Sequence, residues 1–377
     1  MVQNRSAIVI GAGIVGLATA RALSLKGFQV TIVERTDKAV GASIRNFGML
    51  WPIGQPAGAL YNRAMRSQVI WKEIADSIGL WYDECGSLHT AYHKDEWEVI
   101  NELYEQFREE GRPVALMDKR QVLDRFNGVN DHHLIGGLYS DTETIVDPRD
   151  AIAKTAMYLE EYLGVEFIWG KAVNQVETGT VWIGSEPLNA DIVCVCSGAD
   201  FETLFPEIFS TLEITKCKLQ MMRFAPTHKD WRIGTSLCGG LSLIHYSSFK
   251  DAASLHKLKE RYEQEMAEYL QWGIHVMVSQ NDKGELTVGD SHEYGLTFEP
   301  FDRNDINQLI KKYLNSFCEA NDWEPTQTWN GIYPKLTSGE AGTFLNPLAD
   351  VYIVNGMGGA GMTMSFGFAE ECIDTIA

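Results

Sequence analysis

Three glycines, Gly11, Gly13 and Gly16, stand in the run GAGIVG, and an acid, Glu34, follows a short distance later. The spacing G-x-G-x-x-G suits phosphate chemistry. Gly11 permits a tight turn, Gly13 lets the backbone approach a pyrophosphate, and Gly16 lets a helix pack closely on a sheet. A helix opening at Ile14 and Val15 offers free N–H groups and the positive end of its dipole to an anion. Glu34, with Arg35 behind it, is placed to accept hydrogen bonds from ribose hydroxyls, and an acid there disfavours a 2′-phosphate. These residues alone admit either a flavin or a nicotinamide dinucleotide.

The elements that must hold them are legible. Residues 7–10 (AIVI) form a β-branched apolar run, a helical pattern extends through Leu25, and Gly27 suits its stop. Gln29–Val33 reads as the second strand, ending at Glu34. Arg5 before an apolar run also fits the start of a signal peptide, but Arg21 and KGFQVTIVER continue as helix end and strand rather than as a cleavage site. No other segment reaches about 18 uninterrupted apolar residues, so no integral membrane segment is expected.

With 377 residues the chain exceeds one ordinary core, and two domains or a large insertion are expected. The net charge of −19 argues against a nucleic-acid partner, which needs concentrated Lys and Arg. None of the seven cysteines forms a CxxC pair, and Cys194 and Cys196 share one face of a buried strand. Reduced thiols in a cytoplasmic protein are the expectation, and no metal-ligand set is recognised.

Three further stretches carry chemistry. Ala42–Pro52 reads ASIRNFGMLWP, polar Arg45 and Asn46 between small and apolar residues, as suits a segment lying along an extended ligand. Asp191–Asp200 (DIVCVCSGAD) is a buried strand running into Ser197 and Gly198. Near the C-terminus a strand over Val351–Val354 meets Gly356, Gly358, Gly359 and Gly361, and a helix follows through Met362 and Thr363. A helix N-terminus there can stabilise negative charge on a ligand with preorganised N–H groups.

Together these stretches resemble the D-amino-acid oxidase, glycine oxidase and sarcosine oxidase superfamily, closely at both ends of the chain and loosely in the middle. The resemblance implies FAD. It places Ser43 and Arg45 near the phosphates, Asn46, Gly48 and Met49 near the flavin ring, and Val173 at the adenine, with Ala42 among the cofactor-binding residues. No cysteine or histidine occurs in Ser43–Met49 or in Trp329–Leu336 (WNGIYPKL), so non-covalent FAD is expected. The implied fold is α/β: a Rossmann-like FAD-binding domain with an inserted α+β, mixed-sheet substrate domain. Residues 1–80, 147–211 and 328–377 would form the first, and 81–146 and 212–327 the second. Helices are expected at Tyr61–Ile78, Glu96–Glu110, Gln121–Phe126 and Leu255–Trp272, and long strands at Leu212–Phe224 and His275–Gly289.

The implied reaction is oxidation of the C–N bond of a small amine or amino acid: hydride passes to flavin N5, and the imine is hydrolysed. The partners would be a small amine and oxygen or another electron acceptor. Where amino-acid oxidases of the superfamily often carry an arginine before the proline of WNGIYPKL, this chain has Tyr333, with Lys335 beyond it. Tyr333 is a candidate substrate contact or a packing residue. His292, in GDSHEYG (Gly289–Gly295), is a candidate for an anion or water beside the flavin, or an ordinary loop residue. Met49 completes the catalytic candidates. Lys218, Arg223 and His245 offer further positive charge, whereas His132 and His133 read as solvent-exposed. The complete ASIRNFGMLWP stretch, GDSHEYG and the missing arginine together resemble a branch proposed to act on aminophosphonates. The alternatives are oxidation of a 2-hydroxy acid or polyol, and a non-catalytic flavin-holding subunit; a nicotinamide-dependent dehydrogenase is weakest.

Overall fold

In the computed structural model, which describes residues 5–226, 228, 230–320 and 323–376, AIVI lies in the strand Ser6–Ile10 of a six-stranded sheet. Successive side chains of a strand point to opposite faces. Ala7 and Val9 accordingly join a core with residues of the helices Ile14–Leu25, Ala59–Ile78, Pro148–Leu163 and Gly361–Asp374. Ile8 and Ile10 join a second core on the other face, with Val181 of a three-stranded meander over residues 175–189. Burial on both faces is what a parallel sheet requires and why its strands are apolar throughout.

The strand order is Thr343–Leu348, Val351–Asn355, Ile192–Val195, Ser6–Ile10, Gln29–Glu34, Glu166–Trp169, parallel except for the first, an antiparallel edge. Gly11, Ser197 and Gly356 therefore all leave the same edge of the sheet. Ligands of open parallel sheets bind outside the carboxyl ends of the strands.

A nine-stranded mixed sheet stands beside this layer. Towards one end of it Ile214–Phe224 pairs antiparallel with Pro325–Leu336, Ile214 opposite Leu336 and Phe224 opposite Pro325. The expected boundary at 328 falls inside this strand. The far end of the strand reaches the first layer through a bridge between Lys335 and Met357.

Two elements differ from expectation. His275–Gly289 is a hairpin of Met277–Gln280 and Leu286–Gly289. Its turn is made by Asn281, whose Oδ1 accepts from the N–H groups of Lys283 and Glu285, and by Gly284 at φ +80°. The helix over Leu255–Trp272 is two helices, Leu255–Glu265 and Ala267–Gln271, broken where Met266 leaves helical geometry. The remaining expected helices occur as Ala59–Ile78, Lys94–Glu109 and Lys119–Arg125. Among the described residues no helix is long and apolar enough to cross a membrane.

Candidate active site

Where the two sheets meet, a cleft of about 1190 Å³ runs from the glycine turns to the mixed sheet. Its first end is built from backbone. Gly11 has φ +106°, and a Cβ there would lie 2.5 Å from the carbonyl oxygen of Cys196. At Gly16 a Cβ would stand 1.8 Å from the Gly11 carbonyl oxygen, so helix and turn touch without an intervening side chain. The Glu34 carboxylate accepts from Ala12 N–H at 2.9 Å and from the Thr36 hydroxyl at 2.7 Å, which fixes it at the mouth of the turn. Lys171 N–H donates to the Glu34 carbonyl at 3.0 Å and brings Val173 to the same wall. A turn kept bare of side chains, a helix N-terminus and a fixed acid fit the pyrophosphate and ribose of a dinucleotide.

The loop after the second strand seals this end. Ser43 Oγ accepts from Ile14 N–H at 3.0 Å and so caps the first helix. Asn46 spends its amide on its own loop, donating to the carbonyls of Ala42 and Ser43 and accepting from Gly48 N–H. Arg45 donates to the Asn330 carbonyl at 3.1 Å, tying the loop to the long strand of the mixed sheet. Trp51 N–H donates to Thr363 Oγ1 at 3.0 Å, and the Trp71 indole to the Met362 carbonyl at 2.8 Å. The N-terminal loop and the C-terminal helix are thus joined directly.

Almost every expected site residue lines this one cleft: Gly11, Gly13, Ile14, Val15, Glu34, Arg35, Ala42, Ser43, Arg45, Asn46, Met49, Val173, Ser197, Gly198, Gly356, Gly358, Gly359, Gly361, Met362 and Thr363. Gly16 and Gly48 do not line it; they support it from behind. A Cβ on Gly48, at φ +73°, would meet the Val146 carbonyl oxygen at 1.9 Å.

His292, Tyr333 and Lys335 line the other end. Tyr333 is buried on the strand Pro325–Leu336, and its hydroxyl lies 3.6 Å from where a Cβ of Gly359 would stand. Burial first, then Cys217 and Asp290, pushes its phenol well above the ordinary value. The Lys335 ammonium bonds to the Tyr294 hydroxyl at 2.9 Å. Lys218 also reaches the cleft, but its ammonium is taken by the carbonyls of Glu299 and Phe301. Arg223 is paired with Glu285 and lies outside the cleft lining.

Sequence reading missed the company His292 keeps. His245, just after the 3-10 segment Gly240–Ile244, and His275, just before the hairpin, have ring centroids 3.7 Å apart, and His292 lies 4.9 and 5.1 Å from them. Asp290 completes the group, its Oδ1 3.3 Å from His275 Nε2 and its Oδ2 3.8 Å from His292 Nε2. Burial holds His292 down to about 4 and His275 well below its ordinary value, with the neighbouring imidazoles adding to the latter. Asp290 is pushed well above the carboxylate range by burial. The G-D-S-H run and His245 were visible as separate signals; His275 is brought in by its backbone pairing with Asp290, and His245 by the turn that ends the 3-10 segment Gly240–Ile244. Asn355 was also missed. It is fully buried, donates to the Gly198 carbonyl and accepts from Gly356 N–H, and so joins two of the glycine turns.

Residues 6–375 match a family model described as FAD dependent oxidoreductase. The chain is 26% identical over 156 residues to a glycerol 3-phosphate dehydrogenase from Caloramator mitchellensis, covering 40% of this chain and 32% of that one. It is 23% identical over 253 residues to D-amino acid dehydrogenase 2 from Mesorhizobium japonicum, covering 51% and 61%. The chain thus spans from about a third to three fifths of the length of these curated relatives. Glycine oxidase from Bacillus cereus ATCC 14579 superposes with a TM-score of 0.79 at 16% identity, covering 99% of this chain and 95% of that one. At these identities the superposition shows a shared fold.

Proposed function

Because the chain belongs to the FAD dependent oxidoreductase family, we propose that it oxidises the C–N bond of a small amine or amino acid that also carries an anionic group. The observation that carries this reading is Lys335. Among the described residues it forms no salt bridge: it lines the cleft with Tyr333, and its ammonium meets the neutral Tyr294, bonded to the hydroxyl and 4.8 Å from the ring centroid. An unneutralised cation at the end of a partly buried cleft attracts an anionic substrate group.

Bound non-covalently, FAD supplies the two-electron acceptor for the substrate C–H, leaving an imine for water to hydrolyse. The protein binds, orients and excludes water. The glycine turns and Glu34 hold the dinucleotide, Met49 and Trp51 wall the cleft, and the N-terminus of Gly361–Asp374 presents N–H groups to negative charge on the ring. Tyr333 and Lys335 hold the substrate anion, with Tyr333 in its neutral, donating form.

An aminophosphonate is the finer reading. The arginines that line the cleft are Arg35, paired with Asp200, and Arg45, bonded to Asn330. Each already spends a guanidinium N–H on the protein, whereas separate Lys and Tyr donors suit a tetrahedral dianion. On this reading 1–80, 147–211 and the chain after Leu336 form the FAD-binding domain, and 81–146 and 212–336 the substrate domain. Seven unpaired cysteines, six of them buried, accord with a cytoplasmic location.

The test is anaerobic mixing of the flavin-loaded protein with glycine, sarcosine, D-amino acids, aminoethylphosphonate, its N-methyl form and glycerol phosphate. Bleaching of the flavin by an amine is expected, fastest with the phosphonates. Bleaching by glycerol phosphate alone would replace this reading with polyol oxidation, and no bleaching at all with a flavin-holding subunit.

A further inference from the structure

The cleft contains a feature that amine oxidation does not use. His245, His275 and His292 come from three separate segments, and one ring nitrogen of each lies within 4.8 Å of the others. Two contacts bear on the nitrogens of the buried rings. His292 Nδ1 lies 3.0 Å from the Gly273 carbonyl oxygen, which only an N–H can satisfy, leaving Nε2 as the bare acceptor. His275 has Asp290 Oδ1 3.3 Å from Nε2, while its Nδ1 is buried without any hydrogen-bond partner. An imidazole steered at one nitrogen by a carbonyl or carboxylate and bare at the other is how proteins prepare a metal ligand. His275 and His292 are both more than nine-tenths buried, and His245 is open to the cleft.

We propose that His245, His275 and His292 bind one divalent transition-metal ion, zinc being the reference case, with Asp290 as the group that positions His275. Three histidines leave a fourth position of a tetrahedral ion free, and these residues all line the cleft. That position takes an oxygen of the substrate's anionic group, a part of the proposal that rests on the amine-oxidation reading above. Ligand atoms around tetrahedral zinc at 2.0–2.1 Å stand about 3.3 Å apart. The present spread reaches 4.8 Å, so binding requires the rings to draw together, the two buried ones included.

The experiment uses the flavin-loaded protein, stripped with a chelator, passed through a desalting column and titrated with zinc chloride in a calorimeter; metal content is then measured by elemental analysis. One zinc per chain is expected. His275→Ala and His292→Ala should abolish binding, His245→Ala should weaken it at least tenfold, and Asp290→Asn should weaken it by about 10- to 100-fold. Flavin absorbance reports folding in each variant. Should a buried-site variant fail to fold, His245→Ala decides the matter. The competing location is the exposed pair His132 and His133, whose rings lie 3.9 Å apart. No stoichiometric zinc, or zinc lost in His132→Ala and retained in His245→Ala, overturns the site. Zinc bound while no amine bleaches the flavin would leave the metal site standing and remove the amine reading; bleaching by amines with no zinc bound would do the reverse.

Discussion

The two ends of the cleft are built on opposite plans. The dinucleotide end is made of backbone: glycines stripped of Cβ, strand ends and two helix N-termini, with Glu34, Ser43 and Asn355 fixing the turns. The substrate end is made of side chains delivered by separate elements: Tyr333 and Lys335 from one strand, His275 from just before a hairpin, His245 from just after a short 3-10 segment. A phosphate cradle needs chain conformation, which a contiguous motif encodes. A substrate pocket needs particular functional groups at one point in space, which only the tertiary fold supplies. The first end should therefore fail through geometry and the second through chemistry.

The largest effect is expected from Gly16→Ala. The added Cβ would stand 1.8 Å from the Gly11 carbonyl oxygen, and the contact is backbone, so no rotamer change relieves it. Helix and turn must separate, at a cost of roughly 3 kcal/mol or more by analogy with other overpacked sites. Purified protein should be colourless, with a lowered thermal midpoint. Yellow protein of normal stability would mean that the cradle is far more plastic than its backbone contacts imply.

Lys335→Met comes second and tests the other plan. The strand continues through Lys335 with its backbone pairing to Thr215, so fold and flavin spectrum should be retained. Loss of a charge-assisted contact of about 1.5–3 kcal/mol should raise KM for an anionic amine by ten- to a hundredfold and leave an amine without an anionic group unaffected. An equal loss for both kinds of substrate would place Lys335 in support of the fold rather than of recognition.

This contrast also explains what the sequence disclosed. Gly11 to Glu34 could be read because each residue's task is local: a turn, a helix start, a strand end. The C-terminal glycines could be read for the same reason, and their convergence on the first turn followed from a parallel sheet. His275 could not be read, because its meaning lies in being placed beside His245 and Asp290, which are distant in sequence or across a turn. Even its local setting was obscured: apolar residues on both sides of Asn281 look like one long strand until that side chain is seen folding the chain back. Asn46 shows a second, local role. It stands in the right loop, yet its amide is spent on holding the loop's shape.

The smallest effect appears only in acid and separates the two plans by stability. His89 lies in the core beneath the substrate end, its ring 5.8 Å from Trp51 and 5.2 Å from Phe249, with both nitrogens lacking hydrogen-bond partners. Burial alone lowers its pKa from 6.5 to about 3. A base whose folded value lies below its unfolded value binds more protons when unfolded, so its contribution penalises the fold as pH falls from 6.5 toward 3 and is flat above 6.5. His89→Leu should therefore match the parent's thermal midpoint at neutral pH within the cost of repacking, and lose less stability than the parent on acidification through that window. No comparable histidine underlies the dinucleotide turns among the described residues, so protease cleavage in mild acid should begin in the mixed-sheet layer while the flavin is still bound. Flavin release ahead of cleavage, or an unchanged acid slope in His89→Leu, would show that the two ends are not separately stabilised.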